Sequence, residues 1–324
     1  MKAFEYATAH STDSARELVG TNGAYLAGGN DLLALMKEYL VNPQRLVNIK
    51  SLPGMHKIEH QKVIDGEFWT IGALTTVAEI EDHGGIAKTF PGLQQAAAEV
   101  GSRQIRNVAT VGGNLAQHSR CWYFRHRDVQ CLKKGGEMCY ARHGESKYHS
   151  LFTGNTCISP IPSNLSIIFG ALNATVVVLR DGKETPMSIP DLYQKAWDEP
   201  TAHNSLQQGD LIVRVEVPAQ QRKSAYIQMS EKSVFDWALV SCAAAAKVDG
   251  KKLSDVKIFL GAVSNVPYQV QAANEFLEGK TVDDATAAKA ADLLLEKAHV
   301  QAHNGYKVPI VRALVRRTLA QLTA

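Results

Sequence analysis

Two stretches decide how this chain is read: Leu26-Ala27-Gly28-Gly29-Asn30-Asp31-Leu32, and Gln104-Ile105-Arg106-Asn107-Val108-Ala109-Thr110-Val111-Gly112-Gly113-Asn114-Leu115. In the first, a strand-like Ala24–Ala27 breaks at a glycine pair, and a helical pattern over Asp31–Leu40 follows with Asn30 as its cap. Glycine lets a backbone approach a ligand closely. The unpaired amides and dipole of a helix start favour a negative group there. A pyrophosphate suits that chemistry, but an ordinary glycine turn with an asparagine cap reads equally well from this loop alone. It matches neither the dinucleotide fingerprint nor the Walker loop. The second stretch repeats the glycine pair and asparagine in a setting rich in side-chain donors. Two such loops point to one extended ligand lying across both.

Working outward, residues 1–50 read as a small β-α-β-α-β unit. Strands are expected at Ala3–Ala7, Ala24–Ala27 and Leu46–Ile49, with a helix capped by Ser11 or Thr12 and running through Val19. Ile58–Leu74 holds two alternating strands joined at Asp65–Gly66. Helical pattern follows at Val77–Ile80 and Pro91–Val100. Gln117–Cys157 then has no sustained periodicity, and so long an irregular stretch inside a domain is usually functional or disordered. Regular structure resumes with a helix at Leu165–Ala171, a strand at Ala174–Leu179, a turn at Asp181–Gly182 and a strand at Leu211–Val217 ended by Pro218. Beyond it, Tyr226–Ser230, Ala238–Val248 and Lys257–Val263 read as antiparallel strands, the alanine run 243–246 being equally compatible with helix. Asp283–His299 and Val308–Leu322 are amphipathic helices. A domain boundary is therefore placed near residue 218.

The 324 residues, 45% hydrophobic and 21% charged, supply more than one core. A net charge of +3 is too small to imply a nucleic-acid partner. The short basic clusters at Arg120–Arg127, Lys133–Lys134 and Arg312–Arg317 read as solvated faces, although a basic loop also suits an anionic cofactor. No stretch has the ~20 apolar residues of a membrane span. The first residues lack the apolar core of a secretory signal. The expected compartment is the cytoplasm, or the periplasm if a signal-bearing partner subunit carries the chain out.

AGGNDLL and IRNVATVGGNLAQ together resemble the two FAD-binding loops of the flavoprotein (medium) subunits of the molybdenum hydroxylases, the xanthine oxidase and carbon monoxide dehydrogenase family. IGALTT (Ile71–Thr76) and SPIPSNL (Ser159–Leu165) add to the likeness, which covers nearly the whole chain. It implies an α+β fold. A two-subdomain FAD-binding domain of the vanillyl-alcohol-oxidase / PCMH type would span 1–218, with subdomains at about 1–55 and 56–218. A cysteine-bearing insert would occupy about 117–158, and a small C-terminal domain 219–324. By the same resemblance, Ala27, Gly28, Gly29, Asn30, Asp31 and Leu32 would wrap the FAD pyrophosphate. Asn107, Ala109, Thr110, Gly113 and Asn114 would hold its other side. Ser163 and Asn164 stand where the family commonly has an acidic residue. Lys232 aligns with a basic residue near the flavin, an exposed strand-end lysine being the other reading. No catalytic residue is assigned. The implied partners are a molybdenum-cofactor large subunit, a small subunit with 2Fe–2S clusters and an external electron carrier. A stand-alone FAD oxidase and a zinc-stabilised, non-redox scaffold are the rival readings.

Four of the five cysteines, Cys121, Cys131, Cys139 and Cys157, fall inside the irregular segment; Cys242 reads as a small core residue. Disulfides need an oxidising compartment. Structural zinc favours cysteine pairs two to four residues apart, whereas these are spaced by 10, 8 and 18. His118, His126, His143 and His149 keep a mixed zinc site open. An iron–sulfur cluster needs four thiolates and tolerates wide spacing. Spacing does not separate iron from zinc. SRCWYF followed by CISP resembles the family members with a 4Fe–4S cluster, bacterial aldehyde oxidoreductase and hydroxybenzoyl-CoA reductase, and this implies a cluster on the four cysteines.

Overall fold

The computed structural model describes residues 1–63, 66–219 and 221–324. The N-terminal unit is a parallel sheet of β1 (Glu5–Thr8), β2 (Gly23–Leu26) and β3 (Arg45–Asn48) in the order β1-β3-β2. Its first helix, Thr12–Val19, starts at Ser11, whose hydroxyl accepts the Ser14 amide in a capping box. The helix expected over 31–40 is shorter, Leu32–Lys37. Asn30 does not cap it; Asp31 occupies the cap position and makes no side-chain capping bond. Tyr39, at φ 57°, prevents the helix from continuing.

A five-stranded antiparallel sheet follows, built from β4 (Ile58–Val63), β5 (Gly66–Gly72), β6 (Thr175–Arg180), β7 (Lys183–Ser188) and β8 (Leu211–Pro218) in the order β4-β5-β8-β6-β7. The turn expected at Asp65–Gly66 lies partly outside the described residues; Val63 pairs with Gly66. Asp181 and Gly182 both have positive φ, as a two-residue hairpin of the favoured twist requires. Strand β7 and the helix Ile189–Asp198 go beyond the sequence reading. The helix carries a legible signal, a Ser188–Asp191 capping box with proline in the first turn.

The C-terminal unit is the antiparallel sheet β9 (Lys223–Met229), β10 (Val240–Asp249) and β11 (Lys252–Gly261), with β10 central. The alanine run is strand, and its period of two shows why it is alanine. Ala243 and Ala245 face the first core, where the helices Pro91–Ala98 and Asn164–Ala171 pack. Ala244 and Ala246 face the second core, under Asp284–Leu295 and Lys307–Leu322. Helices press on both faces, so small side chains let them approach. At Gly92 a Cβ would lie 2.9 Å from the Ala225 nitrogen, so that helix also rides close on β9. Among the described residues no helix is long and apolar enough to cross a membrane.

Candidate functional site

The two glycine loops touch. A Cβ on Gly28 would sit 2.0 Å from the Val108 carbonyl oxygen, so only glycine allows this contact. Gly29 has φ +76°, the left-handed region that completes the turn after β2. Asn30, released from capping, donates Nδ2–H to the Ile105 carbonyl at 3.4 Å and so reaches the second loop as well. That loop is held from behind: Val111 and Gly112 amides donate to Thr75 and Ala73 carbonyls at 2.9 and 2.8 Å. The Thr110 hydroxyl accepts the Gly113 amide at 3.1 Å and caps the helix Val111–Ala116. A Cβ on Gly113 would meet only that hydroxyl, leaving the rest of its surroundings open.

Together the loops wall a cleft of about 880 Å³, near the upper end of ordinary ligand pockets. Of the residues expected from sequence, Ala27, Gly28, Gly29, Asn30, Asp31, Leu32, Ala109, Thr110, Gly113, Asn114 and Asn164 line it. Ser163 and Lys232 line a second cavity of about 350 Å³, which shares Asn164, Arg120, Asp236 and Trp237 with the cleft. Ser163 donates its hydroxyl to Asn114 Oδ1 at 2.7 Å, and Asn164 Nδ2 donates to Gln228 Oε1 at 2.8 Å, so part of their polar capacity is already used. Asn107 is exposed and lines neither cavity. Tyr25, Asn42 and Gln117 line the cleft although no local pattern marks them, and His118, a zinc candidate by sequence, lines it as well. The Arg106 guanidinium, a seeming donor in the second loop, is spent on Glu81 and on the Val100 and Gly101 carbonyls.

A family model described as the FAD binding domain in molybdopterin dehydrogenase matches residues 2–220, and one for the CO dehydrogenase flavoprotein C-terminal domain matches 224–322. The chain is an FAD-binding medium subunit of the molybdenum hydroxylase and CO dehydrogenase family. It is 32% identical to the aldehyde oxidoreductase FAD-binding subunit PaoB of Escherichia coli K12, over 100% of this chain and 98% of that one. It is 25% identical to the carbon monoxide dehydrogenase medium chain of Hydrogenophaga pseudoflava, over 98% and 96%. Its fold superposes on quinoline 2-oxidoreductase from Pseudomonas putida 86 with a TM-score of 0.76 at 24% identity, covering 100% and 98% of the chains. The cleft lies within the residues matched by the FAD-binding domain, and its glycine-rich walls and volume are compatible with a dinucleotide.

Against this flavoprotein frame, Asp31 has a different task from its loop neighbours. Its carboxylate meets Arg125 at 2.7 Å, Arg120 at 2.8 Å and the His118 amide at 2.8 Å, all from the start of the cysteine-bearing segment. Burial alone would raise its pKa, yet the two guanidiniums and the amide outweigh burial and hold it below the ordinary carboxylate range. Leu35, from the following helix, packs with Phe124 and Cys131. The first glycine loop is thus bolted to the insert by charge and by apolar contact. Beside the bolt, His118 and His203 stack with centroids 4.0 Å apart. Burial pushes His118 down to about 4, and burial together with His118 pushes His203 well down.

The insert itself is ordered by short pieces: helices Trp122–Arg125 and Tyr140–His143 and a 3-10 turn at Leu132–Lys134. It brings Cys121, Cys131, Cys139 and Cys157 to the wall of one small cavity, otherwise lined by Tyr123, Phe124, Lys133 and Ser159 among others. None of the cysteines is in a disulfide. Among the described residues no three His, Cys, Asp or Glu side chains converge as they would on a single metal ion. Lys133 is buried, and its ammonium donates to the Pro200 and Ala202 carbonyls at 3.1 and 2.7 Å. The Cys139 thiol and the Lys133 charge pull Cys157 below the ordinary thiol range against burial, while Cys139 is pushed up by that same contact and by burial. The donor set, four thiols spaced around a mostly apolar cavity with one ammonium, fits a polynuclear iron–sulfur group.

Proposed function

We propose that this chain is the electron-relaying subunit of its oxidoreductase complex, holding FAD across the cleft and second cavity and a 4Fe–4S cluster on Cys121, Cys131, Cys139 and Cys157. FAD would supply two- and one-electron exchange, and the cluster one-electron exchange. The chain's residues bind and orient. Gly28–Leu32 and Ala109–Asn114 would cradle the dinucleotide, Ser163, Asn164 and Lys232 its flavin end, and the four thiolates the iron. Lys133 offsets the thiolate charge and anchors the cavity wall to residues 200–202. Phe124, Tyr123 and Tyr140 line the cavity beside the sulfurs. Substrate chemistry would belong to a molybdenum-bearing large subunit, with a 2Fe–2S small subunit between, and an aldehyde is the first substrate to try given the PaoB likeness.

The observation that carries the cluster is the gathering of four sequence-distant cysteines on one cavity. Its test is anaerobic purification of the full complex, with FAD, iron, acid-labile sulfide and zinc measured per chain. FAD with iron and sulfide in equal amounts beyond those of the 2Fe–2S subunit, the excess being lost in Cys131→Ser, supports the reading. FAD with zinc, or with no metal on these cysteines, overturns it.

A further inference from the structure

We infer that His149 is a positioning residue of the four-cysteine site, donating its Nε2–H to the Cys121 sulfur and thereby raising the reduction potential of the group held there. The inference rests on the iron–sulfur reading above and adds a residue to it. His149 Nε2 lies 3.1 Å from Cys121 Sγ. The ring is 1% exposed, so water does not compete for that contact. Nδ1 is buried and meets no partner among the described residues.

A thiolate bound to metal is an acceptor only. Nε2 must then carry the proton, because its lone pair facing the sulfur would be repelled. The hydrogen bond withdraws electron density from sulfur and favours the reduced state, the lever by which outer residues tune such sites.

The ring is held for this role from both domains. Trp122 lies edge-on at 5.7 Å and Tyr123 at 6.0 Å. From the C-terminal domain the buried Asn304 donates to the His149 and Ser150 carbonyls at 3.3 and 3.0 Å, and within the insert the Ser146 carbonyl accepts the His149 amide at 3.0 Å. Docking of the C-terminal domain therefore sets where the imidazole points.

The experiment is a potentiometric titration of the whole complex, followed by electron paramagnetic resonance, comparing wild type with His149→Leu and His149→Gln. Leu should shift the midpoint of this cluster down by about 59 mV, a tenfold change in the one-electron equilibrium. Gln, which keeps an N–H donor, should recover most of the shift, with iron and FAD contents unchanged in both. An unchanged midpoint in an iron-replete His149→Leu protein overturns the inference while leaving the cluster in place. If that variant loses iron, pulsed resonance of the reduced wild type in D2O decides. An exchangeable imidazole proton coupled to the cluster supports the inference, and its absence overturns it. Absence of iron from the wild type would instead be the failure of the underlying reading.

Discussion

The glycine loops and the cysteine segment assemble by different means. Each loop is a local device built on a glycine pair and a short helix; Ala27–Leu32 line the cleft as a block, and Ile105, Ala109, Thr110, Gly113 and Asn114 line it from the second loop. The cysteine segment has almost no local code: three short helical pieces place sulfurs from positions 121 to 157 around one cavity. A binding element written in consecutive residues can be read in sequence. One made of distant residues depends on the surface it folds against, here the Asp31 bolt and the Leu35–Phe124–Cys131 contact.

If the two regions are separate devices, each can be broken alone. Cys131→Ser should abolish iron binding on this subunit, leaving only the iron of the 2Fe–2S subunit, and keep flavin content near wild type, by metal analysis and by the flavin spectrum. Loss of FAD along with iron would merge the two regions into one. Gly28→Ala forces a Cβ into the Val108 carbonyl. Overpacking of this kind costs about 1–3 kcal/mol, so FAD affinity should fall roughly ten- to hundredfold by fluorescence titration, with iron retained.

Asp31→Asn tests the link itself. Removing the charge facing Arg120 and Arg125 should lower FAD and iron retention together, by about 2 kcal/mol, less than for a fully buried pair. A change in only one of them would show that the bolt serves that side alone.

The smallest effect concerns pH. His118 and His203 are held uncharged, so the unfolded chain binds more protons than the folded one as pH falls from about 6.5 toward 4. Stability from this source is present above about pH 6.5 and is lost on acidification, by about 1 kcal/mol for His118 near pH 5.5, with His203 adding in the same direction. Calorimetric scans should show it, and His118→Gln should flatten the dependence between pH 7 and about 5.

Much of the fold was legible because its signals are short-ranged. The Ser11 cap, the Asp181–Gly182 hairpin and the alternation in β8 each lie within a few residues of what they control. The helix at 189–198 was equally legible through Ser188 and Asp191 but lay outside the reading. Asn30 and Asp31 read differently from sequence, because Ile105 and the two arginines that claim them arrive from 75 and about 90 residues away. Arg106 has the chemistry of an anion ligand, and only its neighbours Glu81, Val100 and Gly101 reveal a structural duty.

What the sequence determined by itself is the pair of glycine loops and the strand and helix pattern around them, since backbone conformation and periodicity act over a few residues. The family and its FAD followed from those same loops. Tertiary structure alone decided that Gly28 must be glycine for the sake of Val108, that alanines 243–246 form a strand between two helical layers, and that four scattered cysteines share a cavity. Each of these is a matter of which surfaces meet, and that depends on packing across the whole chain.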